Sequence, residues 1–212
     1  MARVRVKICG ITRVEDALLV AEAGVDAIGL VFHEKSPRYV SIEQAQKICQ
    51  ALPAFISVVA LFKDESDAQV RHVEQTLAID VLQFHGLETA DFCRQFQRPY
   101  IKALGVAGVD DLISMAQPYD DAQAILLDAH AAGEQGGSGQ VFDWHKIPSE
   151  WKDKIILAGG LTPTNIAQAM KVASPYALDL SSGVESSPGC KDTVKVHALM
   201  QQIKGVNCEC ND

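Results

Sequence analysis

Residues 4–10 read Val4, Arg5, Val6, Lys7, Ile8, Cys9, Gly10. Apolar β-branched residues at 4, 6 and 8 alternate with Arg5, Lys7 and Cys9, and a period of two predicts a strand whose two rows face opposite sides. With Val4, Val6 and Ile8 turned toward covering helices, Arg5, Lys7 and Cys9 point to the inner side of a sheet. Gly10 breaks the strand directly after the thiol. Short runs of the same kind recur as AIGLVF at 27–32, ISVVALF at 56–62, DVLQFH at 80–85, YIKAL at 100–104, AILLD at 124–128, IILAG at 155–159 and YALDLS at 176–181. Helix candidates alternate with them, the clearest at 14–24, 41–52, 66–78, 90–96, 109–116, 162–173 and 191–205. Thr12, Ser41, Ser66 and Thr162 read as N-caps, Pro163 as a first helical residue and Gly24 as a stop. Such alternation predicts a parallel sheet, and eight units of about 26 residues favour closure into a (β/α)8 TIM barrel over an open sheet. One domain is expected over residues 1–205, followed by a flexible tail at 206–212. The stretch 129–140 shows no element and reads as a long Gly-rich loop, a length that is usually functional.

Composition narrows the function classes. At 212 residues with 48% hydrophobic and 22% charged residues, the chain is an ordinary globular one. A net charge of −8 with no basic cluster argues against a nucleic-acid face. An anionic small molecule remains compatible, because a few backbone N–H groups and one Arg override the global sign locally. The six cysteines, at 9, 49, 93, 190, 208 and 210, form no disulfide framework in a chain of this size. Arg3, Arg5 and Lys7 interrupt any apolar leader, and no run approaches the roughly 20 residues of a membrane span. The expectation is a cytoplasmic protein with no membrane or nucleic-acid partner, monomeric because no exposed apolar helix face stands out. Cys208 and Cys210 lack the His partners that would complete a metal site.

In a barrel of this kind the chemistry lies at the C-terminal strand ends. Closure makes strand eight the neighbour of strand one, so Lys7 and Asp179 meet inside, beneath Cys9. An ammonium beside a thiol favours the thiolate, which would make Cys9 a usable base. Asp128 ends an apolar run at the rim, where partial desolvation favours the protonated carboxyl that a general acid needs. Taken singly, a strand-end cysteine also fits a small buried hydrophobe, and the aspartate also fits a cap. AGG at 158–160 and LSSG at 180–183 follow strands seven and eight, the usual phosphate loops of such barrels. Their glycines let backbone N–H groups approach an oxyanion, a short helix starting near Ser182 would add its positive end, and GGSG at 136–139 is placed to close over the same anion as a lid. Arg38, in SPRYV at 36–40, offers a planar fork to a carboxylate, though a solvated loop arginine has the same sequence.

With these residues in place, the chain resembles the phosphoribosylanthranilate isomerase family of tryptophan biosynthesis. KICGIT at 7–12, GLVFHEKSPRYVS at 29–41, VLQFHG at 81–86, LLDA at 126–129, GGSGQVFDW at 136–144, LAGGLTPTNI at 157–166 and LDLSSGVESSPGCKD at 178–192 carry the resemblance. It implies a cofactor-free, metal-free Amadori rearrangement of N-(5-phosphoribosyl)anthranilate to 1-(2-carboxyphenylamino)-1-deoxyribulose 5-phosphate. By position, it makes Asp128 the general acid and Cys9 the base that takes the C2 proton. Arg38 would hold the anthranilate carboxylate. The backbone around Gly137, Gly139, Gly160, Ser182 and Gly183 would hold the phosphate. Asp179 would contact the sugar or position Cys9, with Lys7 and His85 in support. Where the family's lid often carries Lys-Thr before FDW, this chain has Gln140 and Val141, so a lid lysine is not implied.

Three other readings stay open at this point. A Schiff-base aldolase needs an interior lysine, for which Lys102 is the candidate besides Lys7. A metal-dependent sugar-phosphate epimerase would draw on His33 and His85. A non-catalytic sensor of phosphorylated ligands would use the same barrel without turnover.

Overall fold

The computed structural model describes residues 3–130, 142–152 and 154–209. Eight parallel strands close into a barrel in chain order: β1 Arg5–Cys9, β2 Ala27–Val31, β3 Ser57–Phe62, β4 Val81–Phe84, β5 Tyr100–Gly105, β6 Ala124–Asp128, β7 Ile156–Leu157 and β8 Ala177–Leu180. The (β/α)8 expectation therefore holds, with every strand run at its expected place. β1 and β8 pair so that Arg5 opposes Ala177 and Lys7 opposes Asp179. Helices α1 Val14–Ala23, α2 Ile42–Ala51, α3 Asp67–Thr76, α4 Ala90–Arg94, α5 Leu112–Ala116, α6 Ile166–Ala173 and α7 Thr193–Glu209 cover the outside, with a small hairpin of β9 Glu185–Ser187 and β10 Cys190–Lys191 before α7.

Two apolar layers follow from the period of two. Outward rows such as Val6, Ile8, Ile28, Leu30, Phe62, Leu82 and Phe84 pack beneath the helices and form the main core. Phe84 alone contacts the rings of Phe62, Phe92, Phe96 and Tyr100, and burying one such side chain contributes about 1.5–3 kcal/mol. Inward rows are smaller: Val59, Ile101, Ala103, Leu126, Ile156, Ala158 and Ala177 fill the barrel interior, and Cys9, Val31 and Leu61 lie together toward the mouth.

The unit following β6 departs from the repeat. Its described part holds two three-residue 3-10 turns, Trp144–Lys146 and Ser149–Trp151, separated by Pro148, whose missing N–H and fixed φ oppose a continuous helix. β7 is short because Gly159 and Gly160, at φ 80° and 62°, turn the chain out of the sheet. Ser41 and Ser66 cap α2 and α3 as expected, the latter with a full capping box to Gln69, and Gly24 ends α1 at φ 93°. Thr12 does not cap α1. Its hydroxyl donates to the Gly189 carbonyl at 2.6 Å, leaving Arg13 at the cap position. Thr162 and Pro163 precede α6, which starts after Asn165; the Asn165 side chain binds the Thr162 N–H and the Gly160 carbonyl and shapes that turn. α7 continues to Glu209, into the segment expected to fray. Among the described residues no helix is long and apolar enough to cross a membrane. Phe55, in the loop between α2 and β3, is fully exposed at φ 72°.

Candidate active site

Parallel strands bring their C-terminal ends to one rim, so side chains far apart in sequence meet there. A cavity of about 200 Å³ at this rim is lined by Cys9, His33, Arg38, Lys63, His85, Asp128, His130, Gly160, Asp179, Ser181, Ser182 and Gly183, among others. Cys9, Arg38, Asp128, Asp179, Gly160, Ser182 and Gly183 were all expected at the site and all line this one cavity. Lys7 lies beneath it. Gly137, Gly139, Gln140 and Val141, and the side chains of Cys208 and Cys210, lie outside the described residues.

Lys7 Nζ donates to Asp179 Oδ1 at 2.9 Å, with both side chains almost fully buried. Burial opposes the Lys7 charge, but Asp179 and the Cys9 sulfur outweigh it and hold the ammonium above its ordinary value. Cys9 does not respond as the sequence reading expected. Burial pushes its thiol up and Asp179 adds to this, more than Lys7 and Lys191 pull it down. Burial outweighs the pull of the ammonium that was expected to create a thiolate.

Gly29, opposite Cys9 on β2, is where the interior makes room for these groups. A Cβ there would lie 2.7 Å from Cys9 Sγ and 3.0 Å from Lys7 Nζ. Gly29→Ala is thus expected to cost about 1–3 kcal/mol by overpacking and to displace the thiol. Thermal unfolding and an activity assay on the purified variant would show both effects, and an unperturbed variant would refute the packing argument.

Asp128 also differs from expectation. Burial favours its protonated form, but hydrogen bonds from His85 and His130 outweigh this and hold the carboxyl well below the usual carboxylate range. His130 Nδ1 lies 2.5 Å from Oδ1, and His85 Nε2 lies 3.3 Å from Oδ2. The Gln83 amide contacts His85 Nδ1 at 3.0 Å, which holds the ring with its other nitrogen, Nε2, turned to Asp128. The apolar strand that suggested a protonated acid ends beside two imidazoles. His130 was not singled out in the sequence, although it stands two residues after the aspartate.

Arg38 is neither solvated nor unpaired. Its Nε and Nη2 bind the Glu185 carboxylate at 2.9 Å and 2.7 Å. Lys191 Nζ lies 2.7 Å from Glu185 and 2.7 Å from the Cys9 carbonyl. Glu185 and Lys191 escaped the sequence reading, although both stand inside LDLSSGVESSPGCKD. Only the β9–β10 hairpin turns them back under Arg38.

The two glycine-bearing loops touch. A Cβ on Gly183 would fall 1.9 Å from the Leu161 carbonyl oxygen, so no side chain is tolerated where the β8 loop crosses the β7 loop. The short helix expected near Ser182 is a single 3-10 turn, Ser182–Val184. Ser181 Oγ is buried with no hydrogen-bond partner among the described residues.

Lys102 does not fit a Schiff-base role. It faces the helices, with Nζ on Glu88 at 2.8 Å and on the Gly86 carbonyl at 2.7 Å, and is absent from the mouth. His33 binds Glu65 at 2.7 Å on the rim. No group of three or more His, Cys, Asp or Glu among the described residues is arranged to hold a metal ion.

A closed eight-stranded barrel with a thiol, a carboxyl and two glycine-bearing loops around one mouth defines a TIM-barrel enzyme whose ligand is a small molecule. The family model described as N-(5'phosphoribosyl)anthranilate (PRA) isomerase matches residues 6–202, and the chain belongs to that family. The N-(5'-phosphoribosyl)anthranilate isomerase of Pseudomonas fluorescens (strain SBW25) is 50% identical over 204 residues, covering 96% of this chain and 97% of the relative. The crystal structure of phosphoribosyl anthranilate isomerase from Thermotoga maritima superposes with a TM-score of 0.86 at 41% identity, covering 95% of this chain and 99% of that one. A crystal structure of phosphoribosyl anthranilate isomerase in complex with reduced 1-(o-carboxyphenylamino)-1-deoxyribulose 5-phosphate gives a TM-score of 0.83 at 39% identity, covering 95% and 99%.

Proposed function

We propose that this mouth carries out the isomerisation of N-(5'-phosphoribosyl)anthranilate, with Asp128 as acid and Cys9 as base. The observation that carries the assignment is that a thiol on β1 and a carboxyl on β6 share one cavity with Arg38 and the loops of β7 and β8. Arg38 takes the aryl carboxylate, and backbone N–H groups of Gly160, Ser182 and Gly183, with Gly137 and Gly139, take the phosphate. Anchored at both ends, the ribose lies between acid and base, which removes most of the entropic cost of the encounter.

Protonated Asp128 gives its proton to the ring oxygen as the C1–O bond breaks, and the nitrogen lone pair forms the C1=N bond of an iminium ion. Cys9 thiolate removes the C2 proton, and the electron pair becomes the C1=C2 bond of an enolamine as the C1=N π pair returns to nitrogen. The enolamine loses the proton on O2 and gains one at C1, giving the ketone and restoring the original proton count. No external oxidant, reductant or cofactor enters this balance. Asp179 keeps Lys7 beneath Cys9, and His85 orients Asp128.

The resting site holds its proton on Cys9 and its charge on Asp128, whereas catalysis starts from the reverse. The two forms carry the same number of protons, so pH does not change their ratio. Above the raised thiol pKa the shared proton is lost and the competent form with it. kcat/KM is therefore expected to fall, not rise, as pH increases through the Cys9 titration. A pH profile with Cys9 alkylation rates measured in parallel checks this, and a rise through the titration would remove the exchange of protonation states.

Every group named comes from a single chain. In the monomeric, cytoplasmic setting we propose, specific activity is independent of dilution. The assignment itself is tested by incubating the purified chain with N-(5'-phosphoribosyl)anthranilate in the presence of a chelator. The expected product is a ketone of unchanged mass, formed at an undiminished rate. Dependence on added metal would favour the epimerase chemistry, and binding without conversion would favour the sensor.

A further inference from the structure

The residues around Arg38 form a continuous link that the two proposed roles do not use. The Glu185 side chain is almost wholly buried, with its carboxylate against Arg38 Nε and Nη2 on one side and Lys191 Nζ on the other. The Gly189 N–H adds a weaker contact to the same carboxylate at 3.3 Å. Lys191, itself buried, spends its second hydrogen bond on the Cys9 backbone carbonyl. The chain of contacts therefore runs from Arg38 through Glu185 and Lys191 to the main chain of Cys9.

Two physical consequences follow. A guanidinium has two edges that can grip a carboxylate, one formed by Nε with Nη2 and the other by Nη1 with Nη2. Glu185 occupies the first, so a ligand carboxylate meets the second, and its approach to Arg38 is fixed in direction as well as place. The charges also matter, since Arg38 and Lys191 contribute two positive charges against one on Glu185. The cluster stays net cationic and still attracts an anion. Stability alone gives little reason to bury three charges, because well-packed apolar residues commonly do as well or better.

We propose that Glu185 is a positioning residue, joining the seat of the aryl carboxylate to the base by the link Arg38–Glu185–Lys191–Cys9 carbonyl and so setting the distance between them. This rests on the roles given above to Arg38 and Cys9. Each half of the link has its own signature. Cutting the Arg38 half loosens recognition of the carboxylate, whereas cutting the Lys191 half leaves recognition intact and misplaces the base.

The test compares the intact chain with Glu185→Gln, Glu185→Asp and Lys191→Met. Affinity is measured for reduced 1-(o-carboxyphenylamino)-1-deoxyribulose 5-phosphate and for its phenylamino counterpart without the carboxylate, and turnover is measured in parallel. The intact chain is expected to prefer the carboxylated ligand by about tenfold or more. Glu185→Gln, or Glu185→Asp if the first does not fold, is expected to lose most of that preference while binding the carboxylate-free ligand as before. Lys191→Met is expected to keep the preference and lose kcat. An unchanged preference in the Glu185 variants, or equal weakening of both ligands, overturns the proposal. So does a Lys191→Met enzyme with full kcat. Absence of turnover in the intact chain would defeat the isomerase reading instead, and the affinity ratios would still decide the Arg38 half of the link.

Discussion

Asp128→Asn is expected to lower kcat by about three orders of magnitude while the protein stays folded and still binds a product analogue, since general acid catalysis contributes roughly 10²- to 10⁴-fold. The substitution keeps the shape of the side chain and one acceptor oxygen, so one of the two imidazoles that contact the carboxylate, His130 at Oδ1 or His85 at Oδ2, meets an amide N–H instead. What it removes is the group that carries a proton to the ring oxygen. Loss of charge-assisted bonds to two imidazoles costs about 1–3 kcal/mol of stability, which a single well-packed barrel tolerates. A fluorescence assay of turnover, with thermal melting and titration of the reduced product analogue, separates these effects. Near-normal kcat would place the acid elsewhere, with His85 next in line. Loss of analogue binding would make Asp128 a ligand contact first.

Lys7→Met should be the most damaging change beneath the mouth. Lys7 and Asp179 are a buried pair at 2.9 Å, and removing one partner of such a pair typically costs about 3–5 kcal/mol because the other charge stays buried and unpaired. In this chain the orphan would be Asp179, which already pushes the Cys9 thiol up. The variant should melt at lower denaturant, its Cys9 should titrate higher than in the intact chain, and turnover should fall with it. Alkylation of Cys9 as a function of pH, read by peptide mass, measures the titration. Cys93, also buried and with its thiol pushed up to about 12, serves as an internal control. A Cys9 that titrates no higher in Lys7→Met would show that the ammonium has no hold on the thiol.

Much of this architecture was legible because it depends on local periodicity. Each strand alternates or runs apolar, each is bounded by helix signals, and eight such units leave few ways to pack. The Lys7–Asp179 contact was legible for the same reason, since closure fixes which strands are neighbours and alternation fixes which side chains face inward. Protonation states were not legible. They depend on how much water burial removes and on partners such as His130 and Glu185, whose positions are set by loops instead of by a period. Arg38 shows the difference. Its place after β2 was readable, but its engagement by Glu185 required the hairpin β9–β10, which turns a surface-looking segment back beneath the mouth. The helix starts show it too, as Ser41 and Ser66 act through contacts three residues away, while Thr12 was claimed by Gly189 from the far end of the chain.

In the proposed mechanism the Cys9 sulfur takes the C2 proton. The direct test mixes N-(5'-phosphoribosyl)anthranilate with an excess of protein and follows the anthranilate-conjugate emission, comparing the intact chain with Cys9→Ala. Emission is expected to fall rapidly with the intact chain and, with Cys9→Ala, to decay no faster than the substrate's own breakdown in buffer, although the variant still binds the reduced product analogue. Equal rates with the two proteins would contradict it.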